Sequence, residues 1–432
     1  MAGLFAEGQP FNVFFRLDVG ALQKIWINPN VPMSLDVTMK PGFYTFTAQL
    51  FDPTGFEVEP AFWTAIASSE SGLPQGIVQW GYTNFINLKS SEYNCIITRY
   101  FPTLGKNYFT LRLEGTITFV DSPLNTAALA GTLEEVIGLY ASRYNTTIDA
   151  DLNFSNIYLI EVGNTGDTTD FRKTRFHKEH AESDFQFLMR IVKRYALSTD
   201  GVGKYYVYHT TVNGEDSLII RNPEQAPEAD ADYVWVVQHP DSVVIDWSPE
   251  IDFVPHVGIL GDALVAKTYQ SITGEELAVS CNVECTKNNV HTPIIGEVAY
   301  DHKYIPVNGL EETKELQIGM ENMTDPVKYG GSRGSVLASF EGRTAVVNAV
   351  NAYLEGLKTK IRGILTIQGD PRIVPGRKCL INYFYPTGYS GVRKLHYSSG
   401  LYYIESVTHN IRPGSYTTQL QVWRTGTPSS PF

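Results

Sequence analysis

The 432-residue chain has no apolar run approaching the roughly 18–20 residues that a membrane helix needs. It has four cysteines, too few for a disulfide scaffold at this length, and all four read as thiols. Cys281 and Cys285 stand close together, but no second cysteine pair or histidine cluster completes a zinc site. Charged residues make up 19% of the chain, against ~25% in ordinary globular proteins. Basic residues are the scarcer sign, 34 against 46 acidic ones, for a net charge of −12. That balance disfavours a clamp on duplex DNA, which needs lysine and arginine to neutralise phosphates. The opening MAGLFAEGQPFNVFF puts no basic segment before an apolar one, so no secretory signal is expected. P-loop, dinucleotide fingerprint and HExxH motifs are all absent.

What is abundant is aromatic: 25 Tyr, 22 Phe and 6 Trp. Many aromatics with little charge argue against disorder and for a β-rich, well-packed or heavily interfaced protein. At about 150 residues per domain the length allows two to four domains. The first 120 residues read as strands. In 42–51, Tyr44, Phe46, Ala48 and Leu50 alternate with Phe43, Thr45, Thr47 and Gln49. In 109–120, Phe109, Leu111, Leu113, Ile117 and Phe119 interleave with Thr110, Arg112, Glu114, Thr116 and Thr118. Long strands with one apolar and one polar face suit a barrel or a large curved sheet.

The pattern changes after Pro123. Thr132 precedes Leu133, Val136, Ile137 and Tyr140, with Glu134 and Glu135 where a helix dipole favours acids. A second helix is expected from Ser183–Asp184, with Phe185, Leu188, Ile191, Val192 and Tyr195 as its apolar stripe. Short strands follow at 205–209 and 218–221, then a polar connector, 222–231. β-type segments resume at 233–238 and 242–247. Residues 271–335 are mixed, ending in a Gly-rich stretch, 329–334. A third helix is expected over about 335–358, and strands close the chain, with Pro413-Gly414 placed as in a type II turn. No short-period repeat or low-complexity tract is found.

Charge is uneven. Residues 361–432 carry a balance of +6 and the first 360 carry −18. Between Glu215 and Asp252 the acids face only Arg221, which reads as a solubilising face, as electrostatic complementarity between neighbouring subunits, or as an acidic wall that must not hold a polyanion. His177 and His180, in FHKEH, lack a third ligand and read as a solvated pair. Gly331-Ser332-Arg333-Gly334 reads as a loop. The basic residues from Arg172 to Arg194 are diluted by Glu179, Glu182 and Asp184, giving a mixed surface rather than a nucleic-acid site. The three glycosylation sequons carry little weight without a secretory signal. No catalytic, cofactor-binding or metal-ligating residue is assigned, no cofactor is expected, and binding residues are left unassigned.

The last hundred residues run from the Ala-rich GRTAVVNAVNAYLEGL to GDPRIVPGRKCLI, a tyrosine-rich loop and LYYIESVTHNIRPGSYTTQLQVWR. This order resembles the closing module of phage baseplate hub proteins, the gp27-like and late-control family. The matching positions are Gly369, Asp370, Pro371, Pro375, Gly376, Val407, His409, Gly414, Thr417, Thr418 and Arg424. The middle segment SDFQFLMRIVKRYAL is similar to a helix of the same family. The motifs are short, and their order along the chain carries the resemblance, which covers about half of it.

The resemblance implies a mainly β fold with α+β insertions: two tail-tube-like antiparallel β-barrels plus a small α/β module. The implied division is 1–122 as a first barrel, which 236–265 could complete, 123–235 as the inserted module, 266–335 as a mixed connecting domain, and 336–432 as a second barrel with its helix. It also implies a non-enzymatic homotrimer that adapts a sixfold tail tube protein to a threefold central spike protein. The tape measure protein and other baseplate proteins would be neighbours. DNA would pass the channel without specific binding, and this chain would not insert into a membrane. Because related spike proteins continue into a needle or an enzymatic domain while this sequence ends at Phe432, a separate polypeptide is expected to carry any tip. The implied location is the virion tail baseplate, assembled in the host cytoplasm. Pro371, Pro375 and Gly376 read as turn formers, His409 as a packed or hydrogen-bonded core residue, and the loop Phe384–Tyr397 as the best partner-facing element. A tail-tip cell-wall hydrolase and a receptor- or carbohydrate-binding tail module remain the alternatives.

Overall fold

The computed structural model describes most of 12–252 outside 118–126, 151–173, 196–204, 222–230 and some shorter stretches, the strands within 263–306, and 360–428 outside 386–394 and 426. The expected third helix and the Gly-rich stretch 329–334 lie outside the described residues.

The fold is mainly β, built on one large, chiefly antiparallel sheet with small helical parts. Its N-terminal strands are β1 (Val13–Val19), β2 (Leu22–Asn28), β3 (Ser34–Lys40) and β4 (Phe43–Phe51), followed by helix α1 (Val58–Ser68). Then come β5 (Gln75–Tyr82), β6 (Tyr93–Leu104) and β7 (Phe109–Ile117). Helix α1 departs from the all-strand reading of this region. Its buried residues, Val58, Phe62 and Ala65, recur at helical spacing, while Trp63 faces outward.

A smaller α/β part follows: β8 (Ala127–Gly131), α2 (Leu133–Arg143), β9 (Thr147–Ala150), β10 (Thr174–Lys178), α3 (Asp184–Tyr195), β11 (Tyr206–Val212) and β12 (Glu215–Arg221). β8 pairs with β10, and β11, β12 and β9 form a three-stranded sheet in which β9 runs parallel to β12. Helix α3 opens with a capping box: the Gln186 N–H donates to Ser183 Oγ, and the Ser183 N–H donates to Gln186 Oε1. Tyr140, Phe187, Leu188, Ile191 and Ile220 are among the residues of its core. Beneath them the Lys178 ammonium is buried against the Asp184 carboxylate at 2.5 Å, and Tyr144 and Arg143 also donate to Asp184.

The chain returns to the large sheet through β13 (Tyr233–Val236) and β14 (Val244–Asp252). Next come β15 (Ala263–Tyr269), β16 (Glu276–His291) and β17 (Gly296–Pro306), which join a separate four-stranded sheet; the stretch hard to parse from sequence thus contains two long paired strands. The last strands are β18 (Lys360–Gln368), β19 (Lys378–Asn382), β20 (Gly400–Arg412), β21 (Ser415–Thr425) and β22 (Thr427–Pro428).

The large sheet runs in the order β14-β18-β21-β20-β3-β4-β7-β6-β5-β1-β2, with β19 against β20 and β13 against β19. Two five-stranded units are visible in it. β3, β4, β5, β6 and β7 lie in the spatial order β3-β4-β7-β6-β5. β14, β18, β19, β20 and β21 lie in the order β14-β18-β21-β20-β19, so chain order and spatial order both match. The hairpins agree in detail. β6 shifts register at Thr98 and closes on Leu104 opposite Phe109. β20 shifts at Glu405 and sets Ile411 opposite Tyr416, the same number of residues along, before pairing one residue further, Arg412 opposite Ser415. The duplication has little counterpart in residue identity, with Ile97 and Ile404, Thr110 and Thr417, and Leu113 and Leu420 among the few equivalent positions that keep one residue.

The units are joined through β3 and β20, with Leu35, Val37 and Met39 opposite Ile411, His409 and Val407. All six are buried. The β3–β4 and β20–β21 turns are both Pro-Gly, with Gly42 at φ 67° and Gly414 at φ 78°, a conformation that favours glycine.

Candidate functional site: the polar sheet face and its edges

Because side chains alternate along each strand, one face of the large sheet carries the core and the other is polar. One row of cross-strand partners on the polar face runs Asp246, Thr366, Gln419, Thr408, Thr38, Thr45, Thr116. The next row runs Gln368, Thr417, Asn410, Asp36, Thr47, Glu114. Both cross the β3–β20 joint without a break. Hydroxyls and amides dominate, and charges are matched nearby: Arg412 Nη2 reaches both Asp36 oxygens at 2.7 and 2.9 Å, and Arg112 reaches Glu114 at 2.6 Å. A groove of about 900 Å³ on this face is lined by Asp36, Gln49, Phe101, Arg112 and Arg412 among others. Such a surface offers a polyanion hydrogen bonds but little net positive charge, so counterion release contributes little to binding.

Most of the sequence-singled residues of the closing module come together on the opposite, buried side, while Thr417 lies in the polar rows and Gly414 in the β20–β21 turn. His409 is fully buried, with Nδ1 3.1 Å from both Tyr416 Oη and Thr418 Oγ1, and its ring packs on Trp80. Burial lowers its pKa to about 4, so it stays neutral at physiological pH. Thr418 Oγ1 also accepts from the Asp370 N–H at 3.0 Å, and Asp370 holds Arg372 at 2.7 Å. The Gly369 N–H donates to the Tyr416 carbonyl, and a Cβ at Gly369 would stand 2.1 Å from the Tyr416 ring. Arg424 donates to the Tyr397 carbonyl and covers the Tyr402 ring, and burial lowers its pKa to about 10. Gly376 approaches Tyr208 of β11, and the ring of Phe185 on α3 covers Gly42, so the α/β part packs on both units. These residues hold the sheet together.

The acids from Glu215 to Asp252 do not share one sheet. Glu215 and Asp216 lie in β12, Asp246, Glu250 and Asp252 in β14, and Asp232 pairs with Arg377 at 3.6 Å. His177 lies in β10, and His180 is outside the described residues. Cys95 and Cys379 are buried free thiols, the first with its pKa raised to about 12 by burial, while Cys281 and Cys285 lie in β16. At the base of the tyrosine-rich loop His396 packs against Tyr383, Tyr385 and Tyr397, and 386–394 lie outside the described residues. Among the described residues no group of three or more His, Cys, Asp or Glu could hold a metal ion, and no helix is long and apolar enough to cross a membrane.

The open edges of the large sheet are what sequence reasoning missed. Among the described residues β14 pairs only with β18. Again among the described residues, β6 pairs with β5 over Tyr93–Ile96 alone, leaving Thr98–Leu104 with β7 on one side and no strand on the other. Large exposed apolar side chains sit on both: Phe101 and Leu104 on β6, Ile245 on β14. The only sequence signal is a pair of strand prolines, Pro102 and Pro249, a residue confined largely to edges.

The chain is similar in course to the tail protein from Neisseria meningitidis MC58, at 9% identity and a TM-score of 0.46, over 95% of this chain and 96% of that one. This chain is similar to phage tail proteins. The 43 kDa tail protein of prophage MuSo2 from Shewanella oneidensis matches at 10% identity and a TM-score of 0.44, over 95% and 98%. The E. coli c3393 protein, a type VI secretion component described as similar to the T4 tail proteins gp27 and gp5, matches at 9% and 0.42, over 96% and 77%. No family model and no curated protein matches.

Proposed function

We propose that this chain is a structural hub of a phage tail or a related injection machine. Three copies close a ring of six similar units, so that a sixfold tail tube meets a threefold central spike around the channel for DNA and the tape measure protein. The observation that carries this reading is the pair of topologically equivalent five-stranded units joined through unlike strands, β3 of one and β20 of the other. A joint between unlike edges is heterologous, and heterologous joints generate rings when the rotation closes. The neutral polar face, continuous across the joint, suits a channel wall past which DNA slides. The tail tube protein, the spike protein and other baseplate proteins are the partners, and the virion tail is the location. The chain acts as a structural part and not as an enzyme.

Electron microscopy of the chain mixed with its tube and spike proteins tests this. The expected image is a ring with threefold symmetry and six similar lobes, capped by tube on one side and spike on the other. Particles with no ring, or release of soluble fragments from peptidoglycan by the purified chain, would overturn the reading in favour of a tail-tip hydrolase.

A further inference from the structure

The intrachain joint has a second, unfilled counterpart. In the repeat, β20 corresponds to β6 and β3 corresponds to β14, because the hairpins, bulges and cross-strand partners align strand by strand. β20 uses its N-terminal part, Gly400–Tyr403, to pair with β19 and its later part, Val407–Ile411, to pair with β3. β6 uses Tyr93–Ile96 to pair with β5, and among the described residues no strand pairs with the outer side of its later part. The strand equivalent to β3, which would complete it, is β14, at the far end of the same sheet, with no strand on its own outer edge among the described residues.

We infer that β14 of one copy pairs with the later half of β6 of the next copy, antiparallel, and so repeats the β3–β20 joint between chains. This rests on the trimeric reading above and assigns its interface. The equivalences fix the register: Leu104 opposite Trp247, Thr103 opposite Ser248, Phe101 opposite Glu250 and Tyr100 opposite Ile251. Thr103, Ser248, Phe101 and Glu250 then extend the polar face, while Leu104 and Trp247 extend the core.

Side-chain exposure supports this assignment independently. Leu104 is 80% exposed, yet its equivalent in the filled joint, Ile411, is 0% exposed. Phe101 at 44% and Ile245 at 61% are also exposed on these edges. An unpaired edge with apolar side chains is a pairing template that folded proteins ordinarily blunt. Here each edge carries one proline, Pro102 and Pro249, which limits indiscriminate growth but leaves most of the strand able to pair. Because both edges lie on one molecule and differ from each other, the occupant that satisfies both is a second copy of this chain.

The test uses Thr103→Cys and Ser248→Cys, both exposed polar positions, with a short bismaleimide cross-linker. The full-length Thr103→Cys/Ser248→Cys double variant is expected to give linked dimers and trimers on a denaturing gel, and the parent chain none. A mixture of the two single variants, which can link only between copies, is expected to give dimers. Light scattering on the same samples separates the outcomes. A trimer by mass with no linked species overturns the strand assignment and leaves the hub reading standing. No oligomer, with or without the spike protein, overturns both.

Discussion

Leu104 and Ile411 occupy the same place in two copies of one hairpin, equally far beyond the bulges at Thr98 and Glu405, yet Ile411 is sealed beneath β3 while Leu104 stands in solvent. Leu104→Glu should therefore leave the stability of the isolated chain within about 0.5 kcal/mol of the parent, as exposed substitutions do. It should weaken self-association at least tenfold. Ile411→Glu should cost more than about 4 kcal/mol, since it buries an unpaired charge. Chemical denaturation and sedimentation of both variants check the contrast.

Gly369 meets the Tyr416 ring so closely that Gly369→Ala forces the ring or the strand to move. Overpacking of this kind costs about 1–3 kcal/mol. A shift of the urea midpoint with an unchanged slope is the expected result.

His409 sets a pH dependence. Its folded pKa, about 4, lies below the ordinary value of 6.5, so the folded state prefers neutral imidazole. The stabilisation is fully present above about pH 6.5 and is lost as pH falls through about 4, on the order of 3 kcal/mol in all. His209, lowered to about 3 by burial, adds to the same slope. Stability curves of the parent and His409→Gln between pH 7 and pH 4 should diverge, with the variant flatter.

Asp184 neutralises the buried Lys178 and accepts from Tyr144 and Arg143. Asp184→Ala leaves Lys178 buried without that partner and should cost about 3–5 kcal/mol. Denaturant unfolding of the full-length chain measures it.

The polar face should be indifferent to DNA. The parent chain is expected to show no retention of duplex DNA at about 0.1 M salt, where exposed charges are screened beyond ~10 Å. Replacing Thr38, Thr45 and Thr408 with lysine should create salt-sensitive binding, because those three neighbours share one row across the joint. Filter binding at two salt concentrations reads this out.

Local structure was largely legible in the sequence. The alternation in 42–51 and 109–120 became β4 and β7, and Ser183-Asp184 opened α3 as its capping residues imply. Helix α1 was hidden because Pro60, Ala61 and the outward Trp63 interrupt its sparse apolar stripe. The joint between β3 and β20 was not legible, because its partners lie more than 360 residues apart and no local pattern encodes long-range pairing. The repeat was hidden for a related reason: Leu113 and Leu420 keep one identity, but Ala48 answers Leu365 and Leu35 answers Trp247, so equivalence resides in pairing. His409 was legible as a core residue, whereas the open edges showed only when neighbouring strands were placed.

The most direct measurement is the molar mass of the purified chain by light scattering, alone and with its spike protein. The account predicts three copies of the 48.2 kDa chain, either unaided or once the spike is added. A monomer that stays monomeric beside the spike would contradict it.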